Sequence, residues 1–150
     1  MKLNVTFQDV LKAYKRLKGR VHETPLVESV KLSEDVGADV WFKLENLQKT
    51  GSFKVRGALN KLDALTKEEL NRGVITASAG NHALGLAYAA SLKNVSAKIV
   101  VPETAPETKK AGIRQLGGEL IVKGKTYDEA EAFALSHTEE TGRVFVNAFE

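Results

Sequence analysis

Several residue types are absent from this chain or scarce in it, and each shortage excludes a class of function. The 150 residues contain no cysteine, which excludes disulfides, thiolate nucleophiles and metal sites with sulfur ligands. No apolar run approaches the roughly 18 residues that a membrane helix needs, so we expect no membrane partner. Two of the three histidines, His22 and His137, stand far from other candidate ligands, and we predict no metal site.

An excess of one charge is also missing. The chain has 22 basic and 19 acidic residues, a formal net charge of +3, in mixed clusters such as Lys67-Glu68-Glu69. Because a nucleic-acid-binding surface needs clustered basic residues, we expect no nucleic-acid partner. With 43% hydrophobic and 27% charged residues, the composition is typical of a globular domain with a sizeable core. A cytoplasmic location is the default expectation.

Short β-branched runs alternate with longer helical segments along the chain. An amphipathic stripe predicts a helix at 7–19, Pro25 favours an extended crossing segment at 22–29, and residues 38–45 form a predicted strand. The pattern that follows predicts helices at 53–64, 81–93, 105–117 and 126–142, and strands at 73–78, 97–102, 119–124 and 143–148. It indicates an α/β fold of three layers, a mainly parallel twisted sheet with helices on both faces. Thr126 and Glu129 are spaced as a capping box for the last helix.

One junction between a loop and a helix carries an unusual lysine. In TGSFKVRGA at 50–58, Gly51 and Ser52 make a turn and Lys54 falls in the first turn of the helix, where the dipole is already positive. That potential, with partial burial by Phe53, favours the neutral amine that serves as a nucleophile in Schiff-base chemistry. For any single lysine a solvated surface position is the commoner alternative, and Arg56 is more simply explained as a helix-surface charge.

A second junction, ASAGNHAL at 77–84, follows a predicted buried strand. Its small residues let a ligand approach the backbone, and the next helix offers unpaired N–H groups at its positive end. The pattern predicts an anion site whose mouth carries the side chains of Asn81 and His82. The alternative is a structural helix start, capped by Ser78 or Asn81 with Gly80 in the turn. The third junction, VPETAPETKK at 101–110, is predicted to be structural.

Four segments together resemble a known family: TPL at 24–26, KLENLQKTGSFKVRGA at 43–58, ASAGNHALGLAYAA at 77–90 and VPETAPETKK at 101–110. They are similar to the pyridoxal-phosphate enzymes of the tryptophan synthase β fold type, and most of all to the threonine dehydratases. The resemblance implies a lyase of amino-acid metabolism, including isoleucine biosynthesis, that converts L-threonine or L-serine to a 2-oxo acid and ammonia. The implied cofactor is pyridoxal 5'-phosphate, and the implied assembly is a homo-oligomer.

The resemblance also assigns roles to residues by position. Lys54 matches the lysine that forms a Schiff base with the cofactor and moves protons at the substrate α-carbon. Phe53 matches the residue beside the cofactor ring, and Asn81 the one that hydrogen-bonds the ring's 3-hydroxyl. The loop that receives the substrate carboxylate corresponds to Ser78, Ala79, Asn81 and His82.

Three positions separate this chain from parts of the family. Related serine racemases have a serine before the Gly-Asn pair, whereas Ala79 has nothing to donate, which favours a dehydratase over a racemase or another β-elimination or replacement enzyme. The family commonly has glutamine where this chain has Leu84. It commonly has HPF where this chain reads NAF at 147–149, and both changes could alter packing near the site.

The resemblance further implies that family members continue beyond Glu150, and that the later part supplies a glycine-rich loop for the cofactor phosphate. We expect residues 51–150 to form the smaller, mobile α/β domain, and 1–50 an N-terminal arm and crossing segment belonging partly to a larger domain. The last strand then lies at a sheet edge or marks where more protein continues. We expect the chain alone to be weakly active or inactive. The alternative is a non-catalytic α/β module, truncated or engineered, that self-associates through uncovered apolar surface.

Overall fold

The computed structural model describes residues 5–148. Its amino-terminal part contains α1 (Phe7–Leu17), β1 (Leu26–Glu28), α2 (Val30–Val36), β2 (Trp41–Lys43) and a 3-10 turn at Glu45–Leu47. The remainder contains α3 (Lys54–Ala64), α4 (Lys67–Arg72), β3 (Val74–Ala77), α5 (Asn81–Lys93), β4 (Ala97–Val101), α6 (Glu107–Gln115), β5 (Glu119–Val122), α7 (Tyr127–Thr141) and β6 (Val144–Phe145). Among these helices, none combines the length and apolar character that crossing a membrane requires.

The main sheet has four strands in the order β5-β4-β3-β6, and every pair of neighbours in it is parallel. The four residues of the central strand β3 are all buried, as expected for a strand covered on both faces. A second, antiparallel pair joins β1 to β2. The predicted α/β class is confirmed, and β6 lies at an edge of the sheet, which was one of the two alternatives for the last strand.

Alternate strand residues point into two separate cores, as the period of two in a β-strand requires. The larger core joins β3 and β4 to α3 and α5, and it includes Val55, Leu59, Val74, Leu86 and Ile99. The smaller core, on the opposite face, joins the same strands to α7 and contains Ile75, Ala77, Val100, Ala130 and Ala134. The three predicted layers are therefore present.

The first turn of α3 lies directly against α5. A Cβ atom added to Gly85 of α5 would lie 3.0 Å from the carbonyl carbon of Lys54 and 3.1 Å from the backbone nitrogen of Val55. The helices approach this closely because residue 85 has no side chain. Gly85 and the neighbouring small residues of α5 thus determine where the backbone of Lys54 sits.

The first 50 residues differ most from the prediction. The first helix ends at Leu17, before a turn in which Gly19 has φ +76°. The crossing segment contains β1, and the strand predicted at 38–45 is reduced to β2 because the 3-10 turn begins at Glu45. Two short helices, α2 and α4, were not predicted. They have seven and six residues, too few for the apolar repeat on which helix prediction depends to stand out.

Two predictions in the carboxyl-terminal part need correction. Thr126 caps α7 by accepting the Glu129 N–H, but the Glu129 carboxylate accepts the N–H of Lys125, so the capping box is not closed. The last strand covers Val144–Phe145 and not 143–148. It stops there because the next carbonyl, that of Val146, is taken by side-chain donors. Phe149, in the NAF segment, lies outside the described residues.

Candidate active site

The carboxyl ends of β3 and β6 form a crevice at which the direction of the chain reverses. From β3 the chain runs outward to β4 and β5, and α7 then carries it back over the other face to β6, on the far side of β3. Open α/β sheets bind ligands at such a switch point. The crevice is lined by residues 146–148, by the first turn of α3 and by His82 of α5, but not by Ser78, Ala79 or Asn81.

Lys54 is the first residue of α3, as the sequence predicts, and its half-buried side chain lines the crevice. Its Nζ donates a hydrogen bond of 2.6 Å to the carbonyl oxygen of Ala148. Nζ also lies 5.3 Å from the centroid of the Phe53 ring, within the range of a cation–π contact. Phe53 is 58% exposed, so its ring flanks the amine without enclosing it.

The loop between β3 and α5 leaves the start of α5 without a side-chain cap. Gly80 precedes the helix, and within residues 5–148 no side chain accepts a cap hydrogen bond there. Ser78 Oγ instead accepts the N–H of Gly80 at 3.2 Å, while Ala79 packs partly buried against the larger core. Of the structural alternative, the cap by Ser78 or Asn81 is therefore wrong, whereas Gly80 does lie in the turn. The positive end of a 13-residue helix lies at the carboxyl end of β3, where it favours an anion.

The His82 ring is committed to the end of β6. It lines the crevice, but the residue is only 6% exposed and Nε2 lies 3.1 Å from the Val146 carbonyl oxygen. Since a carbonyl oxygen only accepts, Nε2 carries the proton and Nδ1 is the acceptor of the neutral ring. Thr76 Oγ1 donates to the same oxygen at 2.7 Å. Burial lowers the pKa of His82, the Val146 bond opposes this shift, and the charge of Lys54 adds to it.

Asn81 begins α5 with an exposed side chain, and a lysine that the sequence analysis missed contacts it. Lys109 Nζ donates to Asn81 Oδ1 at 3.3 Å. Lys109 belongs to the third junction, which was predicted to be purely structural. The available signal was electrostatic, because Lys109 stands in the first turn of α6, where the helix dipole disfavours a cation. Its neighbour Lys110 is indeed structural, since it is 7% exposed and pairs with Glu107.

The crevice encloses about 290 Å³ between α3 and residues 146–148, near the lower end of the range for ligand sites. Its residues fit a planar aldehyde cofactor, with an amine at Lys54 and an aromatic ring at Phe53. Two buried hydroxyl oxygens in the preceding turn, Thr50 Oγ1 and Ser52 Oγ, have no hydrogen-bond partner within residues 5–148. Buried polar atoms are normally satisfied, so this turn has spare capacity to bind a polar ligand.

Comparison with known proteins shows which family and fold this chain is similar to. The family described as pyridoxal-phosphate dependent enzyme matches residues 17–150. A curated relative, the L-threonine ammonia-lyase of Thermotoga maritima, is 49% identical over 145 residues, which are 97% of this chain and 36% of the relative. The L-threonine ammonia-lyase of Geobacter sulfurreducens is 46% identical over 90% of this chain. The chain spans about a third of the length of these relatives, 36% and 34%.

A solved structure shares the fold over nearly the whole chain. The serine racemase from Dictyostelium discoideum superposes with a TM-score of 0.88 at 38% identity, covering 97% of this chain and 47% of that one. Similarity at this level extends across both the amino-terminal part and the parallel sheet.

Proposed function

This chain belongs to the pyridoxal-phosphate dependent enzyme family, and from that premise we propose that it is the amino-terminal portion of a threonine or serine dehydratase, an ammonia-lyase. The observation that carries the proposal is the position of Lys54. Its amine lies in the crevice at the switch point of the sheet, and His82, from the uncapped first turn of α5, lines the same crevice. An amine for an aldehyde cofactor and a site for a carboxylate are the two features that an amino-acid substrate requires.

The residues have separate tasks in this proposal. Lys54 would hold the cofactor and move the proton at the substrate α-carbon, beside the ring of Phe53. The loop of Ser78, Ala79, Asn81 and His82 would receive the substrate carboxylate through the N–H groups at the start of α5. Asn81 would also hydrogen-bond the 3-hydroxyl of the cofactor, with its amide oriented by Lys109. When bound, pyridoxal phosphate supplies an electron sink for the charge that develops at the α-carbon.

We favour dehydration over racemisation because of Ala79. A racemase needs an acid on the face of the substrate opposite Lys54, and a methyl group cannot donate a proton. Ala79 is packed partly buried against the core, in the loop that leads to the carboxylate site. L-Threonine and L-serine are both substrates that this chemistry accepts, since each carries a β-hydroxyl that can leave.

We also propose a homo-oligomer. Large apolar side chains are exposed along the amino-terminal part, among them Phe7, Tyr14, Val30, Trp41 and Phe42. Large apolar side chains exposed in such number are usually covered by protein. The alternative function, a non-catalytic module that self-associates, is supported by the same surface. A cytoplasmic location, a role in isoleucine biosynthesis and a domain division at residues 50 and 51 stay predictions from the sequence.

The test is reductive labelling with pyridoxal phosphate and borohydride, followed by mapping of the added mass. We expect specific labelling at Lys54 that is lost in Lys54→Ala. The matched control is Lys61→Ala, since Lys61 lines the same crevice, and this variant should still be labelled at Lys54. Labelling scattered over many lysines would contradict the proposal and favour the non-catalytic module. We expect little or no 2-oxobutanoate from L-threonine with the chain alone, because the family's phosphate loop is assigned to a part beyond Glu150.

A further inference from the structure

Arg56 stands two residues after Lys54, in the same first turn of α3, and it is not a simple surface charge. Its Nε donates to Glu45 Oε2 at 2.8 Å and its Nη2 to Glu45 Oε1 at 2.7 Å. Both carboxylate oxygens are thus engaged by one guanidinium, which is the strongest and most directional form of ion pair. The two side chains are only 30% and 17% exposed, so water screens the pair incompletely.

The carboxylate of this pair is itself held in place. Thr24, which is 5% exposed, donates its hydroxyl hydrogen to Glu45 Oε1. The hydrogen bonds from Arg56 lower the pKa of Glu45 to about 2, against the effect of burial and with further help from Thr24. Glu45 is therefore a fixed negative charge at any physiological pH.

Backbone segments outside the helix anchor the pair as well. Arg56 Nη2 also donates to the carbonyl oxygen of His22 at 3.2 Å. The side chain of Gln48, 4% exposed, bonds both the N–H and the carbonyl of His22 at 2.9 Å. The N–H of Gly51 then bonds the Gln48 carbonyl at 2.8 Å. The clamp, which we define as Glu45 and Arg56, is thus continuous with the turn that delivers Lys54.

The start of α3 lacks a negative charge of its own, and the clamp supplies one. The helix has no side-chain cap at Phe53 and no acidic residue in its first turn. It carries two cations there instead, Lys54 and Arg56, where the helix dipole disfavours positive charge. Glu45 supplies from outside the helix the negative charge that a capping residue would normally supply from within it.

We propose that Arg56 is a positioning residue that acts through Glu45, fixing the first turn of α3 and with it the direction of the Lys54 amine in the crevice. This inference rests on the proposed function, because it gives the clamp a role toward the amine that holds the cofactor. Deeper in the helix, Ala58, Leu59 and Leu62 are buried and anchor α3 independently of the clamp. Loss of the clamp should therefore loosen the first turn and leave the rest of the helix in place.

The experiment compares the reactivity of Lys54 with that of the other lysines in Arg56→Lys and Glu45→Gln. Arg56→Lys keeps the positive charge and loses the bidentate contact with Glu45. It can still test the clamp if Glu45→Gln fails to fold. The matched control is Asp63→Asn. Asp63, like Glu45, is a carboxylate held in ion pairs, with Arg20 and Lys93, but it lies at the opposite end of α3. Each variant is labelled with pyridoxal phosphate and borohydride, and separately with acetic anhydride over a range of pH.

We expect both clamp variants to lower the preference for Lys54 in the pyridoxal phosphate labelling by about tenfold, the factor for one lost charge-assisted contact. The pH profile of Lys54 acetylation should change in the same variants, and Asp63→Asn should alter neither property. Unchanged Lys54 reactivity in Arg56→Lys, or an equal loss in Asp63→Asn, would show that the clamp is merely structural. If the unsubstituted chain shows no preference for Lys54 with pyridoxal phosphate, the proposed function fails, whereas the acetylation profiles still decide the clamp.

Discussion

The contact between Gly85 and the first turn of α3 allows the same substitution to be tested at two glycines with opposite expected results. Gly85→Ala places a methyl group 3.0 Å from the Lys54 carbonyl carbon and 3.2 Å from its carbonyl oxygen. Gly57→Ala, at the fourth residue of α3, places a methyl group where no described atom outside the helix's own nearby backbone lies within 4 Å. Both residues are inside helices, so both substitutions gain the same intrinsic helix propensity.

The expected magnitudes follow from these two environments. Alanine in place of glycine stabilises a helix interior by about 1 kcal/mol. At Gly57 nothing opposes this gain, so we expect a melting temperature about 2–4 °C higher. At Gly85 the new atom meets the backbone of a neighbouring helix, which cannot rotate away, and overpacking of this kind costs about 1–3 kcal/mol. We therefore expect a net loss of about 1 kcal/mol at Gly85 and a melting temperature about 2–4 °C lower.

The assay is thermal and urea unfolding of both variants, followed by circular dichroism, together with reductive labelling of Lys54 by pyridoxal phosphate. Gly85→Ala should also reduce labelling of Lys54, because the backbone that must yield belongs to that residue. If Gly85→Ala stabilises the chain as much as Gly57→Ala does, the close packing of α3 on α5 is refuted. The same result would show that this packing does not set the position of the amine.

Three further predictions concern the crevice and the clamp. Burial lowers the pKa of His82 from 6.5, so the unfolded chain binds more protons than the folded chain as the pH falls, and stability should decrease from pH 6.5 downward. The variant His82→Gln can still donate to Val146, and it should lack this loss in melting curves taken between pH 7 and about pH 5. The pKa of Glu45 is lowered from 4.5 to about 2, so its contribution to the free energy of unfolding is complete above pH 4.5 and should vanish towards pH 2. This acid transition should be absent from Glu45→Gln, and its persistence there would show that Glu45 is not its source. Ser52→Ala removes a buried hydroxyl without a described partner, so in urea unfolding it should be neutral or stabilise the free chain by up to about 1 kcal/mol. The same variant should weaken labelling of Lys54 if the cofactor binds that hydroxyl.

The sequence predicted best those helices whose local residue pattern is also what stabilises them in the structure. The limits of α5, predicted at 81–93, are those observed, and α3 begins at Lys54, one residue after the predicted start. In both helices a glycine-containing turn ends at the first residue and buried small or apolar residues follow. Lys54 was recognisable because its charge conflicts with its place in the helix.

Features that depend on distant partners could not be predicted in this way. The amphipathic stripe of α1 is real, yet Phe7, Val10 and Tyr14 are exposed and only Leu17 is buried. The pattern thus indicated an apolar face of α1, but it could not indicate which surface would cover that face. The clamp joins residues that are 11 positions apart, and the Val146 carbonyl collects donors from 64 and 70 positions away. No periodicity encodes contacts of that kind.

The order of the strands also has a consequence for the time at which the crevice forms during synthesis. The strand β3 and the helices α3 and α5 leave the ribosome early, and chains begin to fold from the amino terminus as they emerge. The wall formed by residues 146–148 is made last among the described residues, and it closes on Thr76 across 70 positions of sequence. A nascent chain thus carries the Lys54 amine before it has a crevice around it. Under the proposed function, selective capture of a cofactor, as opposed to adventitious reaction with any aldehyde, would require β6 to have paired.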